Sequence, residues 1–91
     1  DFDGFFEEIE KSLWGYFADK FKVKSAELSK ETISLHFAKS TINKTIEEAF
    51  ISLLDDCEFA RYAPSSNKNS QMSEIIEKAK AIIIKVESAL K

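Results

Sequence analysis

The stretch Ile46–Pro64, with the sequence IEEAFISLLDDCEFARYAP, decides the fold. An α-helix advances about 100° per residue and places the apolar and small side chains of this stretch on one arc, whereas a strand would divide them between two faces. They are Ile46, Ala49, Phe50, Leu53, Leu54, Cys57 and Ala60. The opposite side carries Glu48, Ser52, Asp55 and Asp56. The pattern predicts a helix with one apolar and one polar side, ending before Pro64 because proline cannot continue the helical hydrogen bonds.

A second helix is predicted upstream, from the N-terminus to about Lys20, because its apolar residues recur at spacings of three and four. They are Phe2, Phe5, Phe6, Ile9, Leu13, Tyr16 and Phe17. A similar stripe predicts a helix at the C-terminal end. It consists of Met72, Ile75, Ile76, Ala79, Ile82, Ile83, Val86, Ala89 and Leu90.

The segment Thr32–Phe37, TISLHF, allows two interpretations. Its strict alternation is typical of a strand that has Ile33, Leu35 and Phe37 on one face. A helix instead keeps Ile33 and Phe37 together and turns Leu35 outward. We predict the helix, because a single strand would have no partner in this chain.

Capping residues mark where these helices begin, because their side-chain oxygens accept hydrogen bonds from the first backbone N–H groups. Between the helices we expect a single turn over 26–28 and a turn over 40–42. The predicted caps are Asp3, Ser25 for the single turn, Ser29, Asn43, and Asn69 or Ser70.

Together these patterns predict a single all-α domain over residues 1–91, orthogonal or bundle-like, with four main helices, a short helical turn and the third helix at the centre. An apolar fraction of 44% supplies the core, and two glycines and one proline argue against a loop-rich fold. No apolar run reaches the roughly 20 residues that span a bilayer. Because the chain begins at Asp1 rather than Met, we expect it to be part of a longer protein.

The composition argues against several function classes. A net charge of −3 disfavours binding to nucleic-acid phosphates. The single cysteine, Cys57, excludes an internal disulfide and a cysteine-rich metal site, and its place on the apolar arc suits a buried side chain. The single histidine, His36, has no catalytic constellation around it in the sequence. We therefore predict no catalytic, cofactor-binding or metal-binding residues.

Two charged residues fall on the apolar sides of their helices. Arg61 projects between Phe50 and Leu54, and Glu10 lies within the apolar arc of the first helix. An unpaired buried charge is too costly to persist, so both residues should have partners, and Glu10 and Arg61 are candidates for a structural ion pair with one another, which is the most economical solution. For Arg61, Glu58 at one turn's distance, a backbone carbonyl or a ligand anion remain alternatives.

Three large side chains lie off the apolar stripes: Phe59, Tyr62 and Ile84. Aromatic residues next to an arginine are typical anchors of protein interfaces, so these three are candidate partner-contact residues. The alternative is that Phe59 and Tyr62 pack against the first helix near Trp14. In that case the domain would have a purely structural role, such as a spacer.

The order of the second and third helices also resembles a helix-turn-helix DNA reader over 29–62. Such a unit places basic side chains in the major groove. The third helix instead carries Glu47, Glu48, Asp55 and Asp56, so the sign of the charge disfavours this function.

Two strings carry a resemblance to a known family: LWGYFADKF at Leu13–Phe21 and LLDDCEFARYAP at Leu53–Pro64. Both are similar to the C-terminal region of BatD, the aerotolerance (oxygen-tolerance) proteins of Bacteroidetes-type bacteria. The resemblance implies a domain at the cytoplasmic face of the bacterial inner membrane, attached to a membrane-anchored protein. It further implies partners among other Bat proteins, which carry von Willebrand A-type or tetratricopeptide domains. It supplies no catalytic residues.

Overall fold

A computed structural model describes residues 2–62 and 68–90 of the chain. The described residues form a small all-α bundle in which the third helix contacts the other three. The helices are α1 (Phe2–Phe21), α2 (Lys30–Ala38), α3 (Lys44–Tyr62) and α4 (Lys68–Ala89). A short 3₁₀ turn, Ser25–Glu27, lies between α1 and α2. No helix in the described part is long and apolar enough to cross a membrane.

The helical interpretation of TISLHF is confirmed. Ile33 and Phe37 are fully buried on one side of α2, while Leu35 is 53% exposed. The predicted caps of α2 and α3 are also present. Ser29 Oγ accepts a hydrogen bond from the Thr32 N–H at 3.1 Å, and Asn43 Oδ1 accepts one from the Ile46 N–H at 2.9 Å.

The other cap predictions are wrong. Helix α1 already begins at Phe2, so Asp3 does not precede it. The 3₁₀ turn follows Lys24, which makes no side-chain cap, and α4 begins at Lys68, before Asn69 and Ser70. The predicted stop at Pro64 lies outside the described residues.

Helix α1 ends in a left-handed residue that is not glycine. Lys22 has a φ of 58°, and the Val23 N–H donates to the Ala18 carbonyl at 3.0 Å. This is the long hydrogen bond of a Schellman motif, in which the residue after the left-handed position packs onto the helix. Val23 is buried accordingly, and the chain turns back towards α2.

The core is centred on aromatic rings from three helices. The ring centre of Phe17 on α1 lies 5.7 Å from that of Phe37 on α2 and 6.4 Å from that of Phe50 on α3. Phe37 and Phe50 are 5.5 Å apart, nearly edge to face. All three side chains are buried, so this cluster joins α1, α2 and α3.

Polar contacts attach α4 to the rest of the bundle. The Tyr16 hydroxyl donates to Glu87 Oε2, and Lys20 Nζ lies 2.9 Å from Glu87 Oε1. Burial, together with the Glu87 carboxylate, raises the pKa of Tyr16 well above its ordinary value. Near the end of α4, Thr41 Oγ1 donates to the Ala89 carbonyl.

The predicted apolar arc of α3 is largely the side that the bundle covers. Five of its seven members are buried and Ile46 is partly buried; the five are Phe50, Leu53, Leu54, Cys57 and Ala60. Ala49 is exposed, which corrects the prediction for that residue. It lines an open cleft between α3 and α4 with Ala81 and Lys85, because the two helices do not close over this edge of the arc.

Candidate functional site

Two aromatic side chains stand exposed in the last turn of α3. Phe59 is 69% exposed and Tyr62 is 76% exposed. Residues three apart on a helix share a face, so the two rings form one surface. We call the surface formed by Phe59 and Tyr62 the aromatic pair.

The alternative in which the aromatic pair packs against α1 near Trp14 is wrong. Phe59 follows Phe50 by nine residues, or about two and a half helical turns, so it points to the opposite side of α3. Helix α1 covers the side that carries Phe50. Nothing in the described part of the chain covers the other side at this end of α3, and the rings face solvent.

Phe59 separates two open clefts. The first, of about 300 Å³, lies where the start of α2 meets α3 and is lined by Lys30, Asp55, Glu58, Phe59 and Tyr62. The second, of about 190 Å³, lies between α3 and the start of α4. Its lining is Asp56, Phe59, Ala60, Gln71, Glu74, Ile75 and Lys78. Phe59 therefore stands between two shallow depressions of the surface.

Each cleft contains two carboxylates and one lysine, a formal net charge of −1. In the first cleft Lys30 Nζ bonds Asp55 Oδ1 and lies 4.0 Å from Glu58 Oε2. The hydrogen bond that Lys30 donates to Asp55 raises the pKa of Lys30. In the second, Lys78 Nζ lies 3.0 Å from Glu74 Oε1 and 3.1 Å from Asp56 Oδ2. Those two bonds likewise raise the pKa of Lys78, so both lysines stay charged.

Arg61 and Glu10 are brought together between α1 and α3. Arg61 Nη1 lies 3.4 Å from Glu10 Oε1, and Nη2 lies 3.4 Å from Glu7 Oε2. Glu58, the alternative partner, instead faces Lys30. The guanidinium carbon of Arg61 also lies 5.4 Å from the centre of the Tyr62 ring. Arg61 therefore links the aromatic pair to α1 while two carboxylates compensate its charge.

Ile84 is exposed, at 65%, but it is not part of the aromatic pair's surface. Neither cleft beside Phe59 includes it. It lies six residues, or about 9 Å along the helix, beyond Lys78, the last α4 residue in the second cleft. The three candidate contact residues thus lie on two separate surfaces.

The single cysteine and the single histidine lie within or beside the core. Burial, with smaller contributions from Glu10 and Asp56, raises the pKa of the Cys57 thiol to about 11. A thiol of this kind is protonated at neutral pH and is a poor nucleophile. The ring of His36 lies 6.0 Å from that of Phe17 and 6.1 Å from that of Phe21, centre to centre. Among the described residues, no group of His, Cys, Asp and Glu side chains has the arrangement that would hold a metal ion.

Three further charged residues have roles that were not predicted from the sequence: Lys30, Lys78 and Glu47. Lys30 and Lys78 meet carboxylates that are 25 and 22 residues away, and no local pattern reports such pairs. The burial of Glu47 could have been predicted from the sequence, because this residue precedes Leu54 by two helical turns and so lies on the apolar arc. It is buried, and its carboxylate pairs with Lys44 Nζ at 3.3 Å.

Comparison of the chain with protein-family models, with curated proteins and with solved structures found no match. The resemblance to BatD rests on the two strings quoted from the sequence.

Proposed function

We propose that this domain is a non-catalytic docking module that binds a partner protein through the aromatic pair. The observation that carries the proposal is the exposure of Phe59 and Tyr62, at 69% and 76%, side by side on one helix. Large aromatic side chains dominate the binding energy of protein interfaces. Burying one such ring contributes about 1.5–3 kcal/mol.

The position of the aromatic pair suits this role. Both residues belong to α3, which is anchored in the core by Phe50 and Leu53. An aromatic side chain has only two rotatable bonds, so little conformational entropy is lost when a partner immobilises it on a rigid helix. The clefts on both sides of Phe59 supply the depressions into which partner side chains would fit.

The resemblance to BatD extends the proposal to a cellular setting. In that setting the domain belongs to a membrane-anchored aerotolerance protein and lies at the cytoplasmic face of the bacterial inner membrane. Its partners are other Bat proteins with von Willebrand A-type or tetratricopeptide domains. The support for this part of the proposal is the pair of strings at Leu13–Phe21 and Leu53–Pro64.

Docking is preferred over the two other candidate functions. A spacer needs no exposed aromatic pair, and exposing these rings to water without a partner brings no gain in stability. A DNA reader would need basic side chains on the free side of α3. That side carries exposed Glu48, Asp55 and Glu58, which would repel phosphates.

The test is affinity capture with the protein in its membrane, comparing the wild type with Phe59→Ser/Tyr62→Ser. We expect the double variant to lose at least about tenfold of a partner that the wild type enriches, equivalent to about 1.4 kcal/mol. Ile84→Ser is the matched control, because Ile84 is equally exposed but lies on another surface.

Equal capture by wild type and double variant would contradict docking through the aromatic pair. Loss in Ile84→Ser alone would instead place the docking surface on α4. Thermal unfolding of each variant establishes that the loss of capture is not a loss of fold.

A further inference from the structure

We infer that the segment bound by the aromatic pair is basic: a peptide segment of the partner that combines an apolar anchor with arginine or lysine side chains. This inference rests on the proposed docking function and specifies the chemistry of the partner. It follows from the charges that surround Phe59.

The charges beside the aromatic pair are acidic on both sides. Among the described residues, the cleft towards α2 holds Asp55 and Glu58 with only Lys30 between them. Within the same part of the chain, the cleft towards α4 holds Asp56 and Glu74 with only Lys78. Each lysine is therefore shared by two carboxylates, and an excess negative charge remains on either side of Phe59.

Arg61 does not offset this excess. Its guanidinium lies 3.4 Å from both Glu7 and Glu10, and Lys11 also pairs with Glu7, so the charge of Arg61 is already balanced within this group on α1. The aromatic pair also occupies the last turn of α3, where the helix dipole adds partial negative charge. All of these contributions to the local potential favour a cation.

Binding of a partner makes a positive charge in the bound segment still more necessary. A partner that covers Phe59 also removes water from the neighbouring carboxylates, whose side chains are now about half exposed. A carboxylate that loses water without gaining a positive partner is strongly destabilised. An apolar or acidic segment would incur this cost, whereas a basic segment would replace the lost water with ion pairs.

Arginine fits the site better than lysine. Its planar guanidinium bonds a carboxylate through two N–H groups and stacks on aromatic faces. Glu58 and Phe59 are neighbours in the first cleft, so one guanidinium can reach the carboxylate of the former and the ring of the latter. An aliphatic or aromatic anchor then covers the rest of the aromatic pair.

The experiment is a selection from a random displayed library of peptides of about 16 residues, long enough for the usual modes of peptide recognition. The bait is the 91-residue chain, and binders of the Phe59→Ser/Tyr62→Ser variant are removed. We expect the remaining peptides to be enriched in Arg and Lys around an apolar residue.

A representative synthetic peptide is then titrated against the wild type and against Asp55→Asn/Glu58→Gln. We expect the carboxylate variant to weaken binding by about tenfold or more. Asp19→Asn/Glu77→Gln is the matched control, because both of these acids are exposed, neither belongs to α3 and neither lines the two clefts; it should change the dissociation constant by less than about twofold. Raising the salt concentration from about 50 mM to about 300 mM should weaken binding to the wild type more than binding to the carboxylate variant.

The possible failures are distinguishable. The inference of a basic segment would be overturned if the selected peptides need the aromatic pair but have no excess of Arg and Lys. It would also be overturned if they bind Asp55→Asn/Glu58→Gln as tightly as the wild type. Neither result would contradict docking through the aromatic pair. If no peptide can be selected but a protein is still captured through Phe59, the occupant of the site is not a linear segment. Sedimentation showing a dimer that Phe59→Ser abolishes would make a second copy of this chain the occupant. Loss of both selection and capture would overturn the proposed function as well.

Discussion

Phe50 and Phe59 lie on the same helix, nine residues apart, and have opposite environments. Phe50 is fully buried against Phe17 and Phe37, whereas Phe59 is 69% exposed between two acidic clefts. The residue type is the same, so the difference comes from which sides of α3 the other helices cover. One side of α3 holds the domain together, and the other carries exposed aromatic side chains at its C-terminal end. Four measurements on α3 would break or sharpen this comparison.

The largest expected effect is the difference between truncating the two phenylalanines. Phe50→Ala should lower the free energy of unfolding by about 3–5 kcal/mol, because it leaves a cavity in the aromatic cluster. Phe59→Ala should change it by less than about 0.5 kcal/mol, because its ring packs against little. Urea denaturation of both variants measures this directly. Similar losses in the two variants would show that the free side of α3 also contributes to the core.

A matched pair of leucines tests the same contrast without aromatic rings. Leu53 is buried on α3, whereas Leu35 is 53% exposed on α2. Leu53→Ala should cost about 2–5 kcal/mol, and Leu35→Ala should cost less than about 1 kcal/mol. The midpoints of denaturation give both values. A loss below about 1 kcal/mol for Leu53→Ala would mean that α3 is peripheral to the core.

The buried side of α3 should also make stability depend on pH in the alkaline range. Burial raises the pKa of Cys57 to about 11, so the folded state retains the thiol proton after the unfolded state has lost it. This contribution is complete below about pH 9, the ordinary thiol value, and disappears as the pH rises through about 11. The loss is on the order of 3 kcal/mol, since the pKa rises from 9.0 to about 11 and one pKa unit corresponds to about 1.4 kcal/mol.

The measurement compares the free energy of unfolding at about pH 8 and about pH 11 with and without Cys57→Ala, a span that covers the thiol titration. Both proteins carry Tyr16→Phe, because the raised pKa of Tyr16 would add a loss of the same sign. Cys57→Ala should remove part of the alkaline loss. An identical loss in both proteins would mean that the thiol is accessible to water in the folded state.

The smallest expected effect concerns the boundary between the two sides of α3, where Arg61 meets α1. A double-mutant cycle on Glu10→Gln and Arg61→Met should give a coupling of about 1 kcal/mol, as expected for a partly buried ion pair. Glu7 also contacts the guanidinium, so Arg61→Met should cost more than Glu10→Gln. Strictly additive effects would show that the pair makes no direct contribution and that packing of the Arg61 stem holds it in place.

Most of the fold follows from local patterns in the sequence. The arcs of α1 and α3, the caps at Ser29 and Asn43, and the helical state of TISLHF all depend on residues within a few positions of one another. Helix periodicity and capping are interactions at this range, so a single sequence reports them. The errors in the starts of α1 and α4 concern helix boundaries, which a sequence pattern locates only to within one or two residues.

Only part of the candidate site could be predicted from the sequence. Composition and spacing identified Phe59 and Tyr62 as lying off the apolar arc, but did not distinguish a second packing surface from an exposed one. No pattern in the sequence indicated the partners of Lys30 and Lys78, which lie 25 and 22 residues away along the chain. Periodicity describes the sides of one helix, and it contains no information about which neighbour covers each side.

The sequence by itself determined that this chain forms four main helices with α3 at the centre, and that Glu10 and Arg61 required compensation on the apolar sides of their helices. Only the tertiary structure decided that α1 covers the side of α3 opposite Phe59, and that Lys30 and Lys78 are each shared between two carboxylates beside it. The physical reason is the separation along the chain over which each kind of interaction acts. Helix formation is governed by contacts within one or two turns, whereas the exposure of a side chain depends on the packing of helices that are distant in the chain.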